Sequence, residues 1–439
     1  MDTSDFGHTR AAFSDAQFSS LSRHLPHDWI EAALQATGSA SIRRRKLPAE
    51  QVVWLVIGLA LYRGQSMSEV IDSLDLVVPD HRSPYLAKSA LSQARTRLGE
   101  EPLAWLFRTT AAAWDQQQPS LWRGLRLYAL DGTTFRAPDS AENRAHFGAQ
   151  VYSSGALASY PQVRGVTLMA LATHLVCDFA FGAYGSHELN YAKTLLPSIP
   201  QNSLTVLDRG FYAAEILLEI ATGAQQRHWL MPARANARLT RLDAHPTDYR
   251  VRIPVSPQAR QHCPGLPEFF EARALVAGTH QGKPRLLLTS LMDRRAYPAR
   301  EVVACYERRW QIELGYREIK QTLLGEELTL RSQTVAGVRQ ELWGVMIAYN
   351  LVRRELATAG KEAGVTPTRL SFVMALHYIQ YELHWMAITR AMGTLPTKLR
   401  QLREKLKLVL LNERRGRCRP RLVKALPQRY PPLRLYTKP

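Results

Sequence analysis

Three acids and three further polar residues in this chain have the types and spacing that phosphoryl-transfer chemistry requires. Asp131 closes the apolar run LRLYALD, and Asp208 closes SLTVLD. Each run reads as a buried strand with a carboxylate at its C-terminal end. The third acid, Glu313, lies in REVVACYERRWQIELGYREIKQTLL, Arg300–Leu324, which follows Pro298 and contains no proline and one glycine. That composition predicts one long helix. At about 100° per residue, Tyr306, Arg309, Glu313 and Lys320 share an arc of roughly 60°. Cys305, Ile312, Tyr316, Ile319 and Leu323 form an apolar stripe beside it. Glu307 and Glu318 point about 120–140° away from Glu313 and serve as internal controls.

Two carboxylates on strands and one on a helix suit hard divalent cations such as Mg²⁺ or Mn²⁺. Two such ions about 3.5–4 Å apart activate an attacking oxygen and steady a leaving one. Without metal, three clustered carboxylates repel one another. Bases beside them suit a phosphodiester backbone. The blander reading also stands: a charged helix face is commonly solvated surface, and an Asp after a strand is commonly a turn or cap residue. Asp139 and Asp178 are rival acids, read as lying in loops away from a strand end.

The elements that would position these residues follow from composition and patterning. At 439 residues, with 46% hydrophobic and 22% charged residues, the chain is long enough for two or three domains. Lys and Arg number 57 against 38 Asp and Glu, a net charge of +19. That excess favours a polyanionic partner, nucleic acid before anionic membrane. The longest apolar run, Val52–Tyr62, is 11 residues, too short to span a bilayer. No signal peptide is evident at MDTSDFGHTR, and the four cysteines are dispersed. A reduced cytoplasm is expected.

Residues 1–120 read as helical. A short helix from Ser68-Glu69 and a longer stretch, LAKSALSQARTRLGEEPLAWLF, suit a DNA-binding helical module. In that stretch Lys88, Ser92, Gln93, Arg95 and Arg97 are expected to face out, and Leu86, Leu91 and Leu98 in. An ordinary helical domain fits equally well. Beyond Trp122, LRLYALD, VRGVTLMALATHL and FAFGAYG read as strands, the last two separated by a turn at Cys177-Asp178. A helix, HELNYAKTLLPSIP, and the strand SLTVLD follow. The segment from about 225 to 298 is strand-like, basic and rich in proline, and two long helical stretches come after the Glu313 helix. From Lys398 onward, fourteen basic residues face two acidic ones.

The spacing Tyr306-x2-Arg309-x3-Glu313-x6-Lys320 resembles the Y-x2-R-x3-E-x6-K signature of the insertion-element-4 family of bacterial DDE transposases. DGTTF at Asp131 and LDRGFY at Asp208 resemble the family's first and second acid motifs. SALSQARTRLG resembles its N-terminal domain, and RGRCRPRLVKALPQRYPP its ending. The resemblance spans about residue 20 to the C-terminus. It implies an α+β (α/β) architecture with an RNase H-like catalytic core at 121–335 carrying a mostly β insertion at about 225–298. An all-α DNA-binding domain at 1–120 precedes the core, and a helical region with a basic tail at 336–439 follows it.

The resemblance also implies the site. Asp131, Asp208 and Glu313 would hold the metal, Mg²⁺ or Mn²⁺, as two ions. Tyr306, Arg309 and Lys320 would contact DNA near the cleaved end, with Arg209 as a further phosphate contact. Relatives hold a flipped base on an aromatic in the insertion. Trp229 is the only tryptophan there, and its run WLM favours a core role. The activity implied is cut-and-paste transposition by a homodimer on double-stranded DNA, binding terminal inverted repeats, cleaving and transferring strands. A nuclease of the same fold without strand transfer, and a non-catalytic DNA-binding repressor, are the alternatives.

Overall fold

The computed structural model describes residues 24–40, 47–74, 76, 87–117, 122–153, 155–280, 283–325, 329–389 and 395–411. Leu86 and the basic tail beyond residue 411 lie outside these.

Five helices come first: α1 (His27–Ala36), α2 (Ala49–Leu61), α3 (Met67–Ser73), α4 (Lys88–Leu98) and α5 (Glu101–Gln116). Helix α2 is apolar on all sides and buried throughout Val52–Leu61, as expected of a helix surrounded by others. Ser66 and Glu69 form a reciprocal capping box that starts α3. The stretch read as one helix from Leu86 is two. Gly99, at φ +72, ends α4 in a conformation that β-carbon residues rarely adopt. Arg95 does not face out: its guanidinium donates to Gln340 Oε1 and Ser332 Oγ.

The centre of the chain builds a nine-stranded mixed sheet, ordered β3-β2-β1-β4-β5-β9-β8-β7-β6. β1 (Arg126–Arg136) leads through α6 (Ala141–Phe147) to β2 (Gln162–Ala170) and β3 (Val176–Ala183), an antiparallel meander. Then follow α7 (Glu188–Leu195), β4 (Ser203–Leu207), α8 (Ala214–Thr222) and β5 (Arg227–Pro232). β4 pairs parallel to both β1 and β5. Thus Arg227–Pro232, the first strand-like piece of the 225–298 segment, continues the central sheet. β6 (Thr240–Arg241), β7 (Asp248–Pro254), α9 (Pro257–His262), β8 (Phe269–His280) and β9 (Lys283–Thr289) complete that segment. Their strands extend the sheet in antiparallel fashion.

Two strand readings change. Asp131 sits at the middle of β1, not at its end. Cys177 and Asp178 lie within β3; the turn before it is formed by Leu171–His174, with His174 in the left-handed region at φ 62.

After β9 come α10 (Ala299–Glu307), α11 (Trp310–Arg317), a wider π-helical turn (Glu318–Leu323), α12 (Val335–Ala363), α13 (Phe372–Thr389) and α14 (Leu395–Leu408). The single helix expected over Arg300–Leu324 is therefore interrupted at Arg308 and widened from Glu318.

Strand alternation sorts the core into two. Leu127, Ala129, Phe135 and Val206 face one cluster, with the N-terminal helices and α10–α14. Tyr128, Leu130 and Leu207 face the other, with α7 and α8. Asp131 and Asp208 continue the first alternation, so both look toward the face that α11 covers. No helix among the described residues is long and apolar enough to cross a membrane.

Candidate active site

Strand register brings the first two acids together. Leu130 of β1 is paired with Leu207 of β4. The next step of that register sets Asp131 beside Asp208, on strands spaced about 4.8 Å apart. β1 continues past this point paired to β2, whereas β4 stops and Asp208 caps a short turn. Its Oδ1 accepts from Gly210 N at 2.5 Å.

Helix α11 lies over this point. Gly315 allows the approach: a β-carbon there would meet Met169 Cε of β2 at 2.5 Å and Tyr349 Oη of α12 at 3.2 Å. The hydroxyl of Tyr316 donates to the carbonyl of Asp131 at 2.6 Å and is 2.7 Å from Thr167 Oγ1. Thr167 is the β2 residue paired with Asp131, so Tyr316 ties the helix to the strand position that carries the first acid. Burial raises the Tyr316 hydroxyl's pKa, which keeps it protonated as a donor.

Glu313 reaches Asp131 through a cation. Arg309 Nη2 donates to Glu313 Oε1 at 2.6 Å, and its Nη1 stands 3.7 Å from Asp131 Oδ2. The pair forms although the order Arg before Glu is the weaker one on a helix. Asp131 accepts from Gly132 N at 2.8 Å. Its carboxyl is nonetheless pushed up to about 6, first by burial and further by the charges of Asp208 and Glu313. The site thus holds more negative charge than Arg309 neutralises.

The donor set is all oxygen and anionic, which fits hard divalent cations. Their charge would favour the ionised form of Asp131 that burial disfavours. Among the described residues no three His, Cys, Asp or Glu side chains stand close enough together to hold one metal ion as they are.

Family comparisons match two stretches of the chain. A family described as "Insertion element 4 transposase N-terminal" matches residues 15–108, and one described as "Transposase DDE domain" matches residues 122–351. The chain is 39% identical over 416 residues to "Transposase InsG for insertion sequence element IS4" of Escherichia coli (strain K12), covering 94% of this chain and 93% of that protein.

The chain is a DDE transposase of the insertion-element-4 family.

Among solved structures, a piggyBac transposase synaptic complex with hairpin DNA is similar at a TM-score of 0.44 and 13% identity, over 91% of this chain and 86% of that one. Domains of the DDE type generally use divalent metal ions.

In this transposase the remaining signature residues are dispersed around the acids. Tyr306 is buried at 8% exposure, and the exposed guanidinium of Arg285 on β9 stacks 4.9 Å from its ring centre. Lys320, in the π-helical turn, holds its ammonium 5.5 Å from the Phe135 ring and 5.7 Å from the Tyr316 ring. Arg209 is exposed immediately after Asp208. Trp229 is 2% exposed inside the second core cluster, which agrees with a core role.

The rival acids are engaged elsewhere. Asp139 pairs with Arg144. Asp178 is buried and accepts from Ser198 Oγ at 2.5 Å and Phe179 N at 2.8 Å.

Glu318 corrects an expectation. It does point away from Glu313, but into a buried ion pair with Arg353, so it is not a neutral control. Glu307 is exposed and remains one. Residue patterning also missed Tyr316 and Arg285. Its spacing puts Tyr316 in the apolar stripe, which is correct for its ring and silent about its hydroxyl. Arg285 is the basic residue of a strand pattern, and only the fold brings it over Tyr306.

Proposed function

We propose that this transposase moves DNA by cut-and-paste chemistry, with Asp131, Asp208 and Glu313 holding two Mg²⁺ or Mn²⁺ ions. The observation that supports this most directly is the β1–β4 register, which sets Asp131 beside Asp208 on the face covered by the Glu313 helix. The ions would polarise the scissile phosphate and supply a water or 3′-OH nucleophile. The protein's part is to hold three carboxylates toward one point and to present cations to the backbone. Arg209, Arg309 and Lys320 would contact phosphate, and Tyr306 would contact DNA near the cleaved end.

The strand order β3-β2-β1-β4-β5, antiparallel then parallel, supports an RNase H-like core for residues 121–335, with β6–β9 as its β extension. The exposed face of α4, with Lys88, Ser92, Gln93 and Arg97, suits reading of terminal inverted repeats. In this reading residues 1–120 form the end-binding domain and 336–439 the helical, basic C-terminal region. Two copies would pair two transposon ends, in the cytoplasm at the nucleoid.

The test is end cleavage of a duplex carrying the element's inverted repeat, with Mg²⁺. Glu313→Gln is expected to abolish cleavage while retaining DNA binding; retained cleavage would remove Glu313 from the site. A strand-transfer assay with pre-cleaved ends then separates a transposase from a nuclease.

A further inference from the structure

Helix α11 is held, on the side away from its acid, by a buried polar network. Gln311 and Glu318 are seven residues apart and so lie on one side of the segment, whereas Glu313 projects about 200° round from Gln311. Between them stands His174, 2% exposed, in the turn that joins β2 to β3. Arg353 of α12, 1% exposed, donates from Nη2 to His174 Nδ1 at 2.8 Å. An arginine only donates, so Nδ1 is the acceptor and the ring proton is on Nε2. That Nε2 then donates to Gln311 Oε1 at 2.8 Å. Burial, and the charge of Arg353, hold the His174 pKa down, in keeping with this neutral tautomer.

The loop closes through Glu318. Its carboxylate accepts from Arg353 Nε at 3.0 Å and from Tyr349 Oη at 3.1 Å. Asn350, next along α12, bonds both the N–H and the carbonyl of Val176, at 2.9 and 2.8 Å. The β2–β3 turn and α12 are thus one unit, and α11 is keyed to it at two points flanking Glu313. His174 is held in left-handed backbone, a local cost that its surroundings must offset.

A buried ion pair adds little net stability, but it is demanding about geometry. We infer that the Gln311–His174–Arg353–Glu318 network is a positioning clamp that fixes the rotation of α11 and with it the place at which the Glu313 carboxylate faces Asp131 and Asp208. It rests on the reading of those three acids as metal-holding, and its members are positioning residues.

Mn²⁺ alone, titrated into the full chain and followed by the electron paramagnetic resonance signal of the free ion, tests it. Gln311→Leu and Glu318→Gln are expected to weaken Mn²⁺ affinity by about tenfold or more, as loss of groups orienting a metal ligand does. Val251→Ala, which opens a gap in the distant β7 core, is expected to lower Tm without changing that affinity. A folded Gln311→Leu protein with wild-type Mn²⁺ affinity would overturn the clamp, and this variant decides the matter even if Glu318→Gln fails to fold. Glu313→Gln separates the two levels. If it loses Mn²⁺ while Gln311→Leu does not, the clamp alone fails; if it too keeps Mn²⁺, the acid assignment fails and the clamp with it.

Discussion

Arg309 lies between Asp131 and Glu313, 3.7 Å from a carboxylate oxygen of one and 2.6 Å from that of the other. With Asp131 raised to about 6 by burial and by its acidic neighbours, the guanidinium supplies positive charge where a divalent ion would. It cannot shed its proton to make way. Were these acids to hold metal, as proposed above, Arg309 would have to move aside, and the DNA backbone is an anion that could take it up.

A thermal-shift measurement tests this exchange. Arg309→Ala is expected to lower Tm in EDTA, because the acids then face one another uncompensated. Adding Mn²⁺ is expected to raise Tm more in Arg309→Ala than in the wild type. Equal rises would show that the guanidinium and the metal do not share a place.

The two glutamates beside the signature behave differently. Glu307→Gln is expected to leave stability and end cleavage unchanged, since Glu307 is exposed. Glu318→Gln leaves Arg353 charged and buried, and such a loss costs about 3–5 kcal/mol. Urea denaturation of the two variants side by side would show it; matching midpoints would contradict the buried pair.

Acid should expose the same residue. The charge of Arg353 outweighs burial and holds the Glu318 carboxyl down to about 2, against 4.5 ordinarily. A carboxyl with a lowered folded pKa stabilises fully above its unfolded value, and that stability is lost as pH falls from about 4.5 toward 2. Wild-type Tm is therefore expected to drop more steeply across that window than Glu318→Gln Tm does. Parallel slopes would place the acid sensitivity elsewhere.

Tyr316→Phe keeps the ring in the core and removes the hydroxyl that bonds the Asp131 carbonyl and Thr167. The stability cost should be about 1 kcal/mol. End cleavage is expected to slow well beyond that, because small misplacements at a reacting centre cost up to about a hundredfold. A rate equal to wild type would reduce Tyr316 to a packing residue.

The acids were legible in the sequence because each ends an apolar run or sits in a fixed spacing, and both signals are local. LRLYALD and SLTVLD announce buried strands, and parallel pairing of two such strands sets their acids side by side. What was not legible depends on partners remote in the chain. Tyr316 looks apolar until Asp131, 185 residues earlier, is beneath its hydroxyl. Glu318 reads as surface because its partner Arg353 is on another helix and His174 is 137 residues from Gln311. Arg95 reads as exposed for the same reason: the surface it covers belongs to α12. The glycine and two threonines after Asp131 suggest a turn and so a strand end there; instead β2 holds Gly132, Thr133 and Thr134 in register.

Helix α12 touches both ends of this system. Near its start, Arg339 and Trp343 bond Glu100, Gln340 bonds Arg95, and Glu341 pairs with Arg63. About ten residues on, some 15 Å along the axis, Tyr349 and Arg353 grip the segment that carries Glu313. One uninterrupted rod thus works as a camshaft. A displacement imposed on it at the N-terminal helices would therefore reach the Glu313 segment through one continuous helix.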